Sequence, residues 1–127
     1  MRIAISSITV SNQDHALDFY TRVLGFVKKK EIPMGEHKWL TVVSPEEQDG
    51  TELVLEPLGF PPAKIYQQEL FNAGIPATAF QVKDIEKEHE RLLSLGVEFS
   101  MAPTKMGPVT LAVFNDTCGN RIQIFQV

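Results

Sequence analysis

The same pattern of segments occurs twice in this chain, and the duplication constrains the fold more tightly than any single motif. Val10 and Val82 each close a strand-like run and lie 72 positions apart. The helix-closing pairs Leu24-Gly25 and Leu95-Gly96 are 71 apart, as are Glu52 and Gln123. In the first copy, residues 2–10 (RIAISSITV) are rich in β-branched and small residues and run into Ser11-Asn12, a pair suited to capping a helix. Ala16, Phe19, Tyr20, Val23 and Leu24 then recur with helical spacing. One face is therefore apolar from about Gln13 to Leu24, and Gly25 closes it. FVKKKEI, WLTVVS and TELVLEP follow as three strand-like segments. The second copy repeats the order: ATAFQV, Asp84 as cap, a helix carrying Ile85, Leu92 and Leu93 and closed by Gly96, then VEFSMAP, VTLAVFND and GNRIQIFQV.

A near-constant offset over strand, helix and last strand implies two βαβββ modules of one shape. Neither module easily buries its sheet alone. The expected architecture is therefore α+β: two paired modules forming a curved, mostly antiparallel eight-stranded sheet, with helices outside and a concavity suited to a small ligand. The 127 residues make a single domain, with module 1 at about 1–58, a linker at about 59–75 and module 2 at about 76–127. The linker opens on the Pro/Gly-rich EPLGFPPA. IYQQELFNAG within it reads as either a short helix or an irregular strand.

Charge narrows the partners. Twelve Lys plus Arg against sixteen Asp plus Glu give a net charge of −4, the wrong sign for a protein that binds by neutralising phosphates, so no nucleic acid is expected. No run of about 18 apolar residues is present to cross a membrane. The start of the chain lacks a secretory pattern, so a cytoplasmic protein is expected. With Cys118 as the single cysteine, no internal disulfide can form, and no cation near it in sequence would activate its thiol.

The segment from Val10 to Phe26 (VSNQDHALDFYTRVLGF), together with TELVLEP, FQVKDIEKEHERLLSLGVEF and DTCGNRIQIFQ, resembles the vicinal oxygen chelate superfamily. That group includes glyoxalase I, extradiol dioxygenases, fosfomycin-modifying enzymes and bleomycin-resistance proteins. The resemblance covers essentially the whole chain. It implies the paired-module fold, a small-molecule ligand and a homodimer. In metal-using members each module gives one ligand from its first strand and one from its last; the matching positions here are Ile5, Ala77, Glu52 and Gln123. Ile5 and Ala77 offer no lone pair, and a carboxylate plus an amide hold a hard cation weakly. No cofactor is expected, with a divalent ion at Glu52 and Gln123 left open. Bleomycin-resistance members use the same shape without metal. The expected function is accordingly a glyoxalase/bleomycin-resistance-like binder of an unknown small organic molecule. The alternative is a lyase or isomerase of the glyoxalase type, metal-assisted or using Glu52 as base.

Strand alternation sketches the site, since i, i+2 and i+4 share a face. Glu52, Val54 and Glu56 form one set, Ile5, Ser7 and Thr9 a second, Ala77, Ala79 and Gln81 a third, with Gln123 and Phe125 from the last strand. Trp39 and Thr41 alternate together on a neighbouring segment. The candidate pocket is thus Ser7, Trp39, Thr41, Glu52, Glu56, Gln123 and Phe125. Glu52 is the candidate base, because a half-apolar pocket would raise its pKa. His37, beside the PMGE turn, keeps a lesser catalytic case. His15 reads as solvated, His89 as packed on its helix, and the lysine run at 28–30 as charge guarding an exposed edge.

Overall fold

The computed structural model describes residues 1–127. Its order is β1 (Ile5–Val10), α1 (Gln13–Asp18), a π-helical turn (Phe19–Val23), β2 (Val27–Met34), β3 (His37–Val43), β4 (Glu52–Pro57), α2 (Pro61–Asn72), β5 (Thr78–Gln81), α3 (Ile85–Ser94), β6 (Phe99–Met106), β7 (Val109–Asn115) and β8 (Arg121–Gln126). The eight strands form two four-stranded sheets, ordered β1-β4-β3-β2 and β5-β8-β7-β6. Each contains one parallel pair, β1 with β4 or β5 with β8, and is otherwise antiparallel. The fold is α+β and matches the expected βαβββ modules. Two compact units divide the chain at Lys64 and Ile65.

In the first unit, Asn12 caps α1 by accepting a hydrogen bond from the His15 amide at 2.9 Å. The expected helix from Gln13 to Leu24 is not α-helical throughout. From Phe19 onward the turns widen, and the Leu24 amide donates to the Phe19 carbonyl five residues back at 3.0 Å. The wider turn keeps Phe19, Tyr20 and Val23 buried, with Ala16, under the sheet face bearing Leu40, Val42 and Leu55. Each such side chain contributes about 2 kcal/mol of burial. Buried Gln13 ties the helix start to the sheet. Its Nε2 donates to the Lys38 carbonyl at 2.7 Å and the Leu55 carbonyl at 2.9 Å, and its Oε1 accepts from the Lys38 amide at 3.1 Å. Gly25 ends this segment with φ +90, as Gly96 ends α3 with φ +84, a conformation open to glycine at little cost.

In the second unit, Asp84 caps α3 as expected, accepting from the Lys87 amide at 3.2 Å. Ile85 and Leu92 are buried, and His89 meets the Phe99 ring edge-on at 4.6 Å between centroids, the packed histidine that its place on the apolar stripe suggested. The segment left open as short helix or irregular strand is helical: α2 spans Pro61–Asn72. It buries one residue, the amide Gln67, while Ile65 and Tyr66 stay exposed, so it carries no apolar stripe for sequence periodicity to reveal.

No helix is long and apolar enough to cross a membrane.

Candidate functional site

Register decides which side chains share a face. Strand β1 pairs with β4 so that Ile5 lies beside Glu52, Ser7 beside Val54 and Thr9 beside Glu56. Thr41 of β3 lies beside Val54. Trp39, two residues away, is on the same face as Thr41 and opposite Ile32 of β2. The first unit therefore gathers Ser7, Trp39, Thr41, Glu52 and Glu56 on one sheet face. It adds two residues that alternation alone did not supply, Lys30 and Ile32. His37 begins β3 opposite Met34 and is exposed.

Lys30 reaches this face through a bulge. In β2, Lys28 stands opposite Val42 but Lys30 stands opposite Thr41, so Lys29 is the extra residue and every side chain after it changes side. Lys28 and Glu31 consequently meet on the helix-covered face at 3.1 Å. Lys29 turns to Asp49 at 3.4 Å and to the Gln48 carbonyl at 3.0 Å. Lys30 makes the ion pair with Glu52, with Nζ 3.4 Å from Oε2. Three identical residues in a row give no sequence signal for the bulge, which is why Lys30 read simply as edge charge.

Glu52 is the centre of the face. The hydroxyl of buried Thr41 donates to its Oε1 at 2.7 Å, while Lys30 holds Oε2. The Thr41 hydrogen bond first, and then the nearby Lys30 ammonium, keep the Glu52 pKa below its usual range against the opposing effect of burial. The expected raised pKa is thus reversed. Burial does act to raise it, but the donors that turn toward the carboxylate outweigh that effect.

The last strand of the second unit runs differently. Gln123 stands opposite Ala79 and Val113, and Phe125 opposite Gln81 and Leu111. Ala77 lies just before β5, and its amide donates to the Arg121 carbonyl at 2.9 Å. Register therefore puts Arg121 where the first unit has Glu52, a slip of two residues from the match that sequence spacing suggested. Arg121 is itself engaged: its Nε donates to the Phe71 carbonyl at 2.9 Å, and its guanidinium lies 4.2 Å from the centroid of the Phe71 ring.

A second polar cluster lies in the loop between β7 and β8, and sequence reasoning passed over it. Buried Asp116 accepts hydrogen bonds from the Cys118 and Asn120 amides at 2.7 and 2.9 Å through Oδ1, and from Asn120 Nδ2 at 2.9 Å through Oδ2. Asn120 Oδ1 in turn accepts from Gln67 Nε2 at 3.2 Å. Burial, assisted by Asp116, pushes the Cys118 thiol up to about 12, so no reactive thiolate forms there. The cluster is closed and satisfied, and it braces the loop.

The surroundings of Glu52 bear on whether a cation could share it. Ile5 offers hydrocarbon beside Glu52, and the Lys30 ammonium lies 3.4 Å from Oε2, where its charge opposes a second cation. Nowhere do three His, Cys, Asp or Glu side chains form a group able to hold a metal.

Residues 2–124 match the family model described as the glyoxalase/bleomycin resistance protein/dioxygenase superfamily. The chain belongs to this superfamily. It is 59% identical over 126 residues to the uncharacterised protein YurT of Bacillus subtilis (strain 168), a match spanning 99% of each chain. Among solved superfamily-like structures, UcmS2 superposes with a TM-score of 0.85 at 32% identity, covering 98% of this chain and 97% of that one. TnmS3, an antibiotic binding protein from Streptomyces sp. CB03234, superposes with a TM-score of 0.79 at 26% identity, covering 99% and 95%.

Proposed function

We propose that this superfamily member is a binder rather than a catalyst: it holds a small organic molecule on the sheet face of Ser7, Trp39, Thr41, Glu52 and Glu56, without a tightly held metal, and releases it unaltered. The observation that carries this reading is the Thr41–Glu52–Lys30 arrangement beside half-buried Trp39 and the exposed Ile5 and Ile32. An apolar surface with a few convergent polar groups is the usual composition of a small-molecule site. The description of TnmS3 as an antibiotic binding protein supports the same reading. Catalysis by Glu52 is disfavoured on chemical grounds, because a carboxylate held below its usual pKa is a weaker proton acceptor.

The test is a thermal-shift screen of aromatic antibiotics and other small natural products, with chromatographic recovery of each hit. Stabilisation by a compound recovered unchanged, and quenching of the single tryptophan, Trp39, are the expected results. Turnover of a 2-oxoaldehyde that disappears in Glu52→Gln would establish the lyase or isomerase reading instead.

A further inference from the structure

The face poses a chemical question: which of its groups can receive an oxygen of the ligand? We propose that Lys30 is the cation of the site, fixed by Glu52 and re-aimed by the bulge at Lys29, and that its ammonium receives an oxyanion of an amphipathic acid whose apolar body lies over Ile5, Ile32 and Trp39. The inference rests on the reading of this face as the ligand site and adds the class of ligand.

Four observations converge. Lys28 and Lys29 pair with Glu31 and Asp49, so Lys30 is the member of the three-lysine run that makes the ion pair on this face. The Lys30 side chain is 48% exposed while Glu52 is only 17% exposed, so the outer, reachable member of the pair is the ammonium. Thr41 satisfies one carboxylate oxygen and Lys30 the other, which leaves Glu52 oriented as a holder of Lys30. An ammonium has three donors, and the one ion pair with Glu52 leaves two for a ligand oxygen. Beside the polar Ser7 and Glu56, the face also carries exposed apolar side chains, Ile5 at 49% and Ile32 at 51%. A flat apolar body with one carboxylate, sulfonate or phenolate oxygen satisfies both halves. In a chain of net charge −4, a local cation favours docking of such a ligand.

The experiment uses two dyes that differ by one sulfonate, anionic 8-anilino-1-naphthalenesulfonate and neutral N-phenyl-1-naphthylamine, read by emission sensitised by Trp39. Lys30→Met is expected to weaken the sulfonate dye about tenfold and leave the neutral dye within about twofold, whereas Lys30→Arg keeps the sulfonate dye within about threefold. Equal weakening of both dyes, or no weakening of the sulfonate dye, overturns the role of Lys30 and leaves the ligand face standing. No sensitised emission from either dye on the parent protein overturns the reading of the face itself, and this inference with it.

Discussion

The two units share an order of elements and place their polar side chains in opposite ways. The first leaves a charged group on its sheet face, Glu52 with Thr41 and Lys30, and joins β3 to β4 by an exposed loop closed by turns at Ser44, Glu47 and Gly50. The second carries Arg121, Gln123 and Phe125 along its last strand, with Arg121 turned to Phe71, and buries Asp116 in the loop from Asp116 to Asn120. A duplicated scaffold needs its loops held only once it is assembled, so one copy can be braced internally while the other keeps polar groups exposed. The first arrangement suits recognition; the second suits stability.

Four variants can break or sharpen this contrast. Asp116→Ala strips three hydrogen bonds from buried donors, and we expect a loss of about 3 kcal/mol in urea unfolding, the largest of the set. Gly119→Ala comes next, at about 2 kcal/mol. Gly119 has φ +101, and an added Cβ would meet the Gln67 side-chain amide at 2.7 Å, so both backbone and packing object. A loss as large from any substitution on the first unit's face would erase the contrast.

Glu52→Gln is expected to change stability by no more than about 1 kcal/mol near neutral pH, because the pair it breaks faces solvent on the Lys30 side. Its pH dependence has a defined sign. The native pKa of Glu52 lies below the ordinary 4.5, so its contribution is fully present above that pH and disappears as pH falls through the lower native value. Parent and variant should therefore converge in acid, as read by thermal unfolding across a pH series. The smallest effect is the most specific. Combining Ile5→His with Lys30→Ala places an imidazole beside Glu52 and removes the competing cation, so Ni²⁺ at about 1 mM should raise Tm by about 2 °C in the variant and leave the parent unmoved. An equal rise in the parent would show that Lys30 does not guard the carboxylate.

The features visible in the sequence were those written as patterns. The 72-residue repeat, the caps Asn12 and Asp84 and the closing residues Gly25 and Gly96 correspond to local backbone demands that a few residue types meet. Alternation along β4 placed Glu52, Val54 and Glu56 together because the strand is regular there. What stayed hidden depends on pairing. The bulge at Lys29 has no residue signature among three lysines, and it alone brings Lys30 to Glu52. The direction of the Glu52 pKa follows from that contact and from the Thr41 hydroxyl, neither of which composition reports. The slip that places Arg121, and not Gln123, at the register position of Glu52 is likewise a property of two strands at once. Helix α2 escaped because its only buried side chain is polar.

That last feature shapes how the protein can change over generations. The part of α2 after Lys64 is clipped in place by directional contacts, Gln67 to Asn120 and the Arg121 guanidinium to Phe71, and not by a greasy underside. Its outward positions, Ile65 and Tyr66 among them, carry none of that attachment. They are free to mutate, or to be recruited for new contacts, without loosening the helix from its seat.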